Sequence, residues 1–216
     1  MTPMPKQYDK AYFDRWYRGR KTRVSTHAEV RRKVALAVTV TEYFLRRPIR
    51  TVLDIGCGEG AWLSHLRALR PRIAYIGLDS SDYAVQRFGA ERNIRKATFG
   101  ELPKLKLGVH DLVVCSDVLH YVPDDEIRAG IRTVAAATDG VAFLEVLTRE
   151  DDVTGDLEAF FRRPAAWYRK LVASAGLTFV APYSWVSPAF KDAVAGVLRK
   201  PFEVATLPDL VAKLVR

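Results

Sequence analysis

The stretch Val52-Leu53-Asp54-Ile55-Gly56-Cys57-Gly58-Glu59-Gly60 runs from apolar residues into glycines at alternate positions. Glycine tolerates a left-handed backbone and lets the main chain approach a ligand closely, so Gly56, Cys57, Gly58 and Gly60 predict a ligand-facing turn. Asp54, two residues before the first glycine, sets a fixed carboxylate beside it. A pyrophosphate would meet that carboxylate with like charge, whereas a cationic ligand would gain from it. The looser dinucleotide pattern is also satisfied by Gly56, Gly58 and Ala61, with Asp79 lying 25 residues beyond Asp54. Asp54 tips the choice toward the cation. Further along, His120 offers an imidazole able to work as a general base near neutral pH, or to line a pocket. Glu145 offers a carboxylate for orienting an amine or hydroxyl, or a hydrogen-bonded buried group.

Short apolar runs alternating with helical stretches must position these residues, the pattern of a parallel sheet with crossover helices. Strands are predicted at 51–55, 74–78, 94–99, 112–116, 141–147 and 178–186. Helices are predicted at 61–69, ended by Pro71, at 124–137 after an Asp-Asp-Glu start, and at 164–175, closed by Gly176. Upstream, Val30, Val34, Ala37, Val38, Thr41, Phe44 and Leu45 recur at helical spacing between residues 26 and 47, with Pro48 as the stop. The tail beyond Pro188 reads as one or two amphipathic helices, the last opened by Pro208 and Asp209. The resulting organisation is an arm and cap helix (1–50), an α/β core (51–187) and a helical tail of the same domain (188–216).

The order of these pieces resembles the class I S-adenosylmethionine-dependent methyltransferases, particularly the small bacterial methyltransferase domains, over roughly residues 51–186. VLDIGCGEG (52–60) resembles the family's first motif, which wraps the methionine portion of the cofactor. The sulfonium and ammonium of S-adenosylmethionine suit Asp54. YIGLDSS (75–81) resembles the second motif, implying that Asp79 accepts both ribose hydroxyls, with Ser80 beside it. FGEL (99–102) stands where the family commonly has Asp and an apolar residue against adenine, which implies Glu101 and Leu102. DLVVCSDVLHYV (111–122) resembles the fourth motif, whose strand end, including Ser116, faces cofactor and acceptor. The resemblance implies a Rossmann-like, doubly wound, mostly parallel seven-stranded sheet with an N-terminal helical cap. The family's closing hairpin is less apparent, because Pro188 and helical residues follow strand 6.

The implied reaction is in-line methyl transfer to an oxygen or nitrogen of a small-molecule acceptor, leaving S-adenosylhomocysteine. The catalytic candidates are His120 and Glu145, and Tyr12, Trp16 and Tyr121 are candidates for the acceptor pocket. The net charge of +9 lies wholly in residues 1–50, which carry 13 Lys or Arg against 4 Asp or Glu. There Tyr8, Tyr12, Phe13, Trp16 and Tyr17 interleave with basic residues, which suits a lid over a small acceptor or, alternatively, RNA or protein binding. A cofactor-binding protein that no longer transfers methyl groups is a third reading. The acidic loop Glu150-Asp151-Asp152 with Asp156 reads as solvated, and no metal is expected. Two cysteines, Cys57 and Cys115, no apolar leader and no run long enough to span a bilayer point to a reduced, cytoplasmic setting without membrane contact. Composition leaves the oligomeric state open.

Overall fold

The computed structural model describes residues 6–153 and 155–199. Its elements in chain order are α1 (Lys10–Phe13, continued by a π turn over Asp14–Arg18), α2 (His27–Leu45), β1 (Thr51–Ile55), α3 (Ala61–Leu69), β2 (Ala74–Asp79) and α4 (Asp82–Arg92). There follow β3 (Ile94–Lys96), β4 (His110–Ser116), α5 (Asp124–Ala136), β5 (Thr138–Glu145), α6 (Ala165–Ser174), β6 (Thr178–Ala181), β7 (Ser184–Val186) and α7 (Lys191–Arg199). One seven-stranded sheet has the order β3-β2-β1-β4-β5-β7-β6; all pairings among β1 to β5 are parallel, and β7 runs antiparallel to both neighbours. The strand order reverses between β1 and β4, and ligands of such sheets bind at the carboxyl ends there.

Both faces of the sheet are covered. Along β4, Leu112 and Val114 face α2 and α3, while Val113 and Cys115 face α5 and α6, as the two-residue period of a strand dictates. Val34, Ala37 and Val38 of α2 pack with Trp62, Leu63 and Leu66 of α3 on the first face. Ile127, Ile131 and Val134 of α5 pack with Tyr168 and Val172 of α6 on the second. Helix α2 begins with a capping box between Thr26 and Glu29 and ends at Arg46, whose φ of 53° is left-handed.

Three strand expectations change. The run 94–99 stops at Lys96, because Thr98 and Glu101 form a capping box that turns the chain into a 3-10 helix over Phe99–Lys104. The fifth strand begins and ends earlier than expected, at Thr138–Glu145. The run 178–186 is a hairpin, folded at Pro182-Tyr183 with Tyr183 at φ 58° and Phe179 opposite Trp185. This hairpin supplies the seventh strand. The helix expected at Pro208 lies outside the described residues.

Candidate active site

Three strands end side by side on the face covered by α2. Asp54, Ser116 and Glu145 close β1, β4 and β5 with the same side-chain parity, and Ser116 is in register with Glu145. Lys33 of α2 reaches down so that its Nζ lies 2.7 Å and 2.8 Å from the two Glu145 carboxylate oxygens, and the Ser116 hydroxyl donates to the same carboxylate. Asp54 is 2% exposed and accepts a hydrogen bond of 2.8 Å from the Tyr75 hydroxyl. Burial pushes its carboxyl up to about 7, against the pull of the Tyr75 bond and with a further push from Asp79. All four residues line a cavity of about 560 Å³.

A second cavity of about 190 Å³ lies toward β2 and is lined by Asp79, Ser80, Ala97, Thr98 and Phe99. The Asp79 oxygens accept from the Gly58 amide at 2.6 Å and the Ser81 amide at 2.8 Å, tying the glycine turn to the start of α4. Ser81, rather than Asp79, caps α4 through the Ala84 amide. Burial raises the Asp79 carboxyl, and the backbone N–H groups of Ser81, Gly58 and Ser80 oppose it. Phe13, Tyr17, Gly56, Gly58, Asp117 and Tyr121 line both cavities and so stand at their junction. Gly56 and Gly58 adopt φ of 71° and 54°, and a Cβ on Gly58 would stand 3.0 Å from the Phe13 ring.

The N-terminal arm forms the roof. Phe13 is 3% exposed and lies against Tyr83 and Tyr17, with ring centroids 5.7 Å and 5.3 Å away. Arg18 grips both oxygens of Glu59 in the glycine turn at 2.5 Å and 2.6 Å, and the Tyr8 carbonyl accepts from the Ser81 hydroxyl. The Lys6 ammonium pairs with Asp156 and stands 3.8 Å from the Tyr121 ring centroid. Burial pushes the phenols of Tyr8, Tyr12 and Tyr121 upward, so they stay protonated at neutral pH.

Thus Asp54, Cys57, Ser116 and Glu145 meet in the larger cavity, Asp79, Ser80 and Tyr12 in the smaller, and Gly56, Gly58 and Tyr121 between them. Others of the expected site fall elsewhere. Glu101 is exposed and spent on the Thr98 capping box, and Leu102 is fully buried in the core. Ala97, Thr98 and Phe99 line the smaller cavity instead. Gly60, at φ 77°, is the N-cap of α3, and Trp16 lies under the Arg15 guanidinium outside both cavities. His120 is fully buried and lines neither cavity, so it meets no acceptor directly. Cys57 and Cys115 are free thiols, both raised by burial.

Sequence reasoning missed Lys33 and Asp117 as site residues and read Phe13 and Tyr17 only as part of the lid. Lys33 had a signal, since it falls on the apolar face of α2 three residues after Val30 and four before Ala37. Among the described residues no group of three or more His, Cys, Asp or Glu gathers as metal ligands. The carboxylates of the acidic loop bind Thr148, the Ala165 amide and Lys6 instead. No described helix is long and apolar enough to cross a membrane.

A methyltransferase-domain family model matches residues 26–181. The chain belongs to the class I S-adenosylmethionine-dependent methyltransferase family. That family's methyl donor, S-adenosylmethionine, is the cofactor, and the side-chain-free floor at Gly56 and Gly58 beside Asp54 and Asp79 fits it. The chain is 34% identical over 80 residues to trans-aconitate 2-methyltransferase of Deinococcus radiodurans, covering 36% of this chain and 30% of the relative. It is 35% identical over 95 residues to ubiquinone biosynthesis O-methyltransferase of Azotobacter vinelandii, covering 41% of this chain and 40% of the relative. The match therefore spans less than half of either relative. A methyltransferase from Archaeoglobus fulgidus shares the fold with TM-score 0.58 and 17% identity, over 79% of this chain and 75% of that one. Magnesium protoporphyrin IX methyltransferase from Synechocystis, solved with bound S-adenosylhomocysteine, does so with TM-score 0.57 and 19% identity, over 83% and 96%.

Proposed function

We propose that the chain transfers a methyl group from S-adenosylmethionine to an oxygen or nitrogen atom of a small-molecule acceptor held in the larger cavity. The observation that carries this reading is the roofed cavity of about 560 Å³, with Asp54, Ser116, Glu145 and Lys33 grouped on its wall. Its size is that of a small-ligand site, and the arm lies over it. When bound, the cofactor supplies an electrophilic methyl on a positively charged sulfur.

The residues divide the work by position. Asp54 holds the cationic amino-acid end at the start of the glycine turn, where Gly56 and Gly58 present backbone rather than side chain. Asp79 retains one free lone-pair direction on each oxygen after accepting from Gly58 and Ser81, which suits a pair of ribose hydroxyls. Phe99 and Ala97 give the smaller cavity its apolar wall. Lys33 neutralises Glu145 and, with Ser116, orients the polar end of the acceptor. Phe13, Tyr17 and Tyr121 exclude water from the junction. Orientation of this kind is worth ~7 to 11 kcal/mol in favourable cases, enough to carry most of a methyl transfer.

The RNA or protein reading is disfavoured by the arm itself. Phe13, Tyr8 and Tyr12 turn inward onto the cavities and Arg18 is engaged by Glu59, so these four are not free to serve as a stacking platform. Calorimetric titration with S-adenosylhomocysteine, with NAD as control, tests the cofactor. Incubation with methyl-labelled S-adenosylmethionine and fractionated metabolite, RNA and protein pools then tests the acceptor. Label in the metabolite fraction that is insensitive to salt is the expected result. Salt-sensitive label in RNA would overturn the small-molecule reading, and cofactor binding without label in any pool would favour the non-catalytic protein.

A further inference from the structure

Asp117 and His120 form a unit that the proposed function leaves unused. Asp117 follows β4 with a left-handed φ of 63°, a conformation that costs a residue with a Cβ of order 1 kcal/mol or more and persists only where the surroundings impose it. Here the Asp117 amide donates to the Glu145 carbonyl at 3.1 Å, which fixes the residue at the end of β5. The backbone twist delivers the Asp117 carboxylate to the junction of the two cavities. Of the residues lining both cavities, only Asp117 carries a carboxylate; the others are two glycines, one phenylalanine and two tyrosines.

Behind Asp117 sits His120, fully buried, its ring held between Tyr121 and Phe160 at centroid distances of 4.3 Å and 4.8 Å. The Leu147 amide donates to Nδ1 at 3.3 Å, so in the neutral imidazole the proton resides on Nε2. That Nε2 is a buried donor with no aligned hydrogen-bond partner, and the Asp117 Oδ1 lies 3.3 Å from it. A buried N–H without a partner costs about 1–3 kcal/mol, and among the described residues the carboxylate placed to relieve that cost is Asp117. Contacts of this kind commonly tighten only when the site is filled.

We propose that Asp117 is the carboxylate presented to the reacting methyl and its acceptor, and that His120 is a positioning residue acting through Asp117 by its Nε2–H. The proposal rests on the methyl-transfer reading above. The acceptor's oxygen or nitrogen lone pair forms the new bond to the methyl carbon, the carbon–sulfur pair returns to sulfur, and the acceptor's proton passes to the Asp117 carboxylate. His120 neither takes that proton nor touches the acceptor.

The test compares S-adenosylmethionine with S-adenosylhomocysteine, which lacks the methyl and the positive charge. Both are titrated calorimetrically into wild type, Asp117→Asn, His120→Ala, His120→Gln and the Asp117→Asn/His120→Ala double variant, with circular dichroism as the check on folding. A carboxylate at the junction favours the charged ligand, so Asp117→Asn should lower the preference for S-adenosylmethionine by about tenfold. His120→Ala should produce a similar loss alone and none on top of Asp117→Asn, while His120→Gln, which keeps a donor, should recover most of it. On an acceptor found by the labelled-methyl assay, kcat should fall about 100-fold or more in Asp117→Asn, with KM for the cofactor moving little. Unchanged preference in Asp117→Asn, or additive losses in the double variant, would overturn the proposal while leaving the methyl-transfer reading standing. Wild type that binds neither ligand would overturn both.

Discussion

Replacing Asp54 by Asn should make the free protein more stable and the cofactor site useless. The Asp54 carboxyl, 2% exposed with one hydrogen bond from Tyr75, has its affinity for a proton raised from 3.8 to about 7 by burial. The rise corresponds to about 4 kcal/mol of differential free energy between the two protonation states. Its sign follows from proton binding. Between pH 4 and 7 the unfolded chain has lost this proton and the native chain keeps it, so stability falls by ~1.4 kcal/mol per pH unit and levels off above 7. Asn occupies nearly the same volume, keeps an acceptor for Tyr75 and carries no charge. Urea melts should therefore show Asp54→Asn more stable than wild type by about 2–4 kcal/mol at pH 8 and equal to it near pH 4. In the same wild-type protein, affinity for S-adenosylhomocysteine, whose amino group pairs with an ionised Asp54 in the proposed function, should drop about tenfold per unit below pH 7. The variant should bind weakly at every pH. A variant no more stable than wild type at pH 8, or a wild-type affinity that stays level from pH 8 to pH 5.5, would refute the account of Asp54 as a buried charge kept for a cation.

Other perturbations read other parts of the frame. Arg163, 7% exposed, binds the Asp124 carboxylate and the Leu119 and Val122 carbonyls around the turn that carries His120; Arg163→Ala should cost about 3–5 kcal/mol in urea unfolding, and a loss under 1 kcal/mol would dismiss it as the brace of that turn. Gly58→Ala places a methyl 3.0 Å from the Phe13 ring at φ 54°, whereas Gly108→Ala, at φ 72°, meets nothing within 4 Å. Both should lose ~1 kcal/mol from backbone strain, and only Gly58→Ala should lose tenfold or more in S-adenosylhomocysteine affinity. Arg18→Ala removes a half-exposed ion pair to Glu59, so stability should move by less than about 1 kcal/mol while limited proteolysis within residues 6–25 accelerates; unchanged cleavage would mean that Lys6, Tyr8 and Phe13 anchor the arm without it.

What could be read from the chain and what could not divide along the range of the interactions concerned. The strand at 51–55 and the helix at 61–69 were legible to the residue because their limits are set locally, by glycines at 56 and 58 and by Pro71. The hairpin within 178–186 was not, because its fold depends on Tyr183 adopting a left-handed φ, and tyrosine gives no local sign of that. The part of the site proposed for the cofactor is likewise local, formed by Asp54, the glycine turn and Asp79 on two neighbouring strands. Glu101 and Leu102, expected beside adenine, line neither cavity, since a Thr98–Glu101 capping box redirects the chain just where a strand was expected to continue. The larger cavity depends on long-range meetings: Lys33 reaches Glu145 across 112 residues, and the arm joins Asp156 across 150. Such pairs leave only a faint local trace, a charge on an otherwise apolar face. Lys33 in α2 and Asp117 within the apolar run 112–119 are both charges of that kind, and both turn out to line the site. Lys33 is compensated by a carboxylate distant in sequence, and in an α/β sheet such groups converge at the carboxyl ends of the strands. The residues hardest to assign from sequence are, for that reason, those of the larger cavity, where Lys33 meets Glu145.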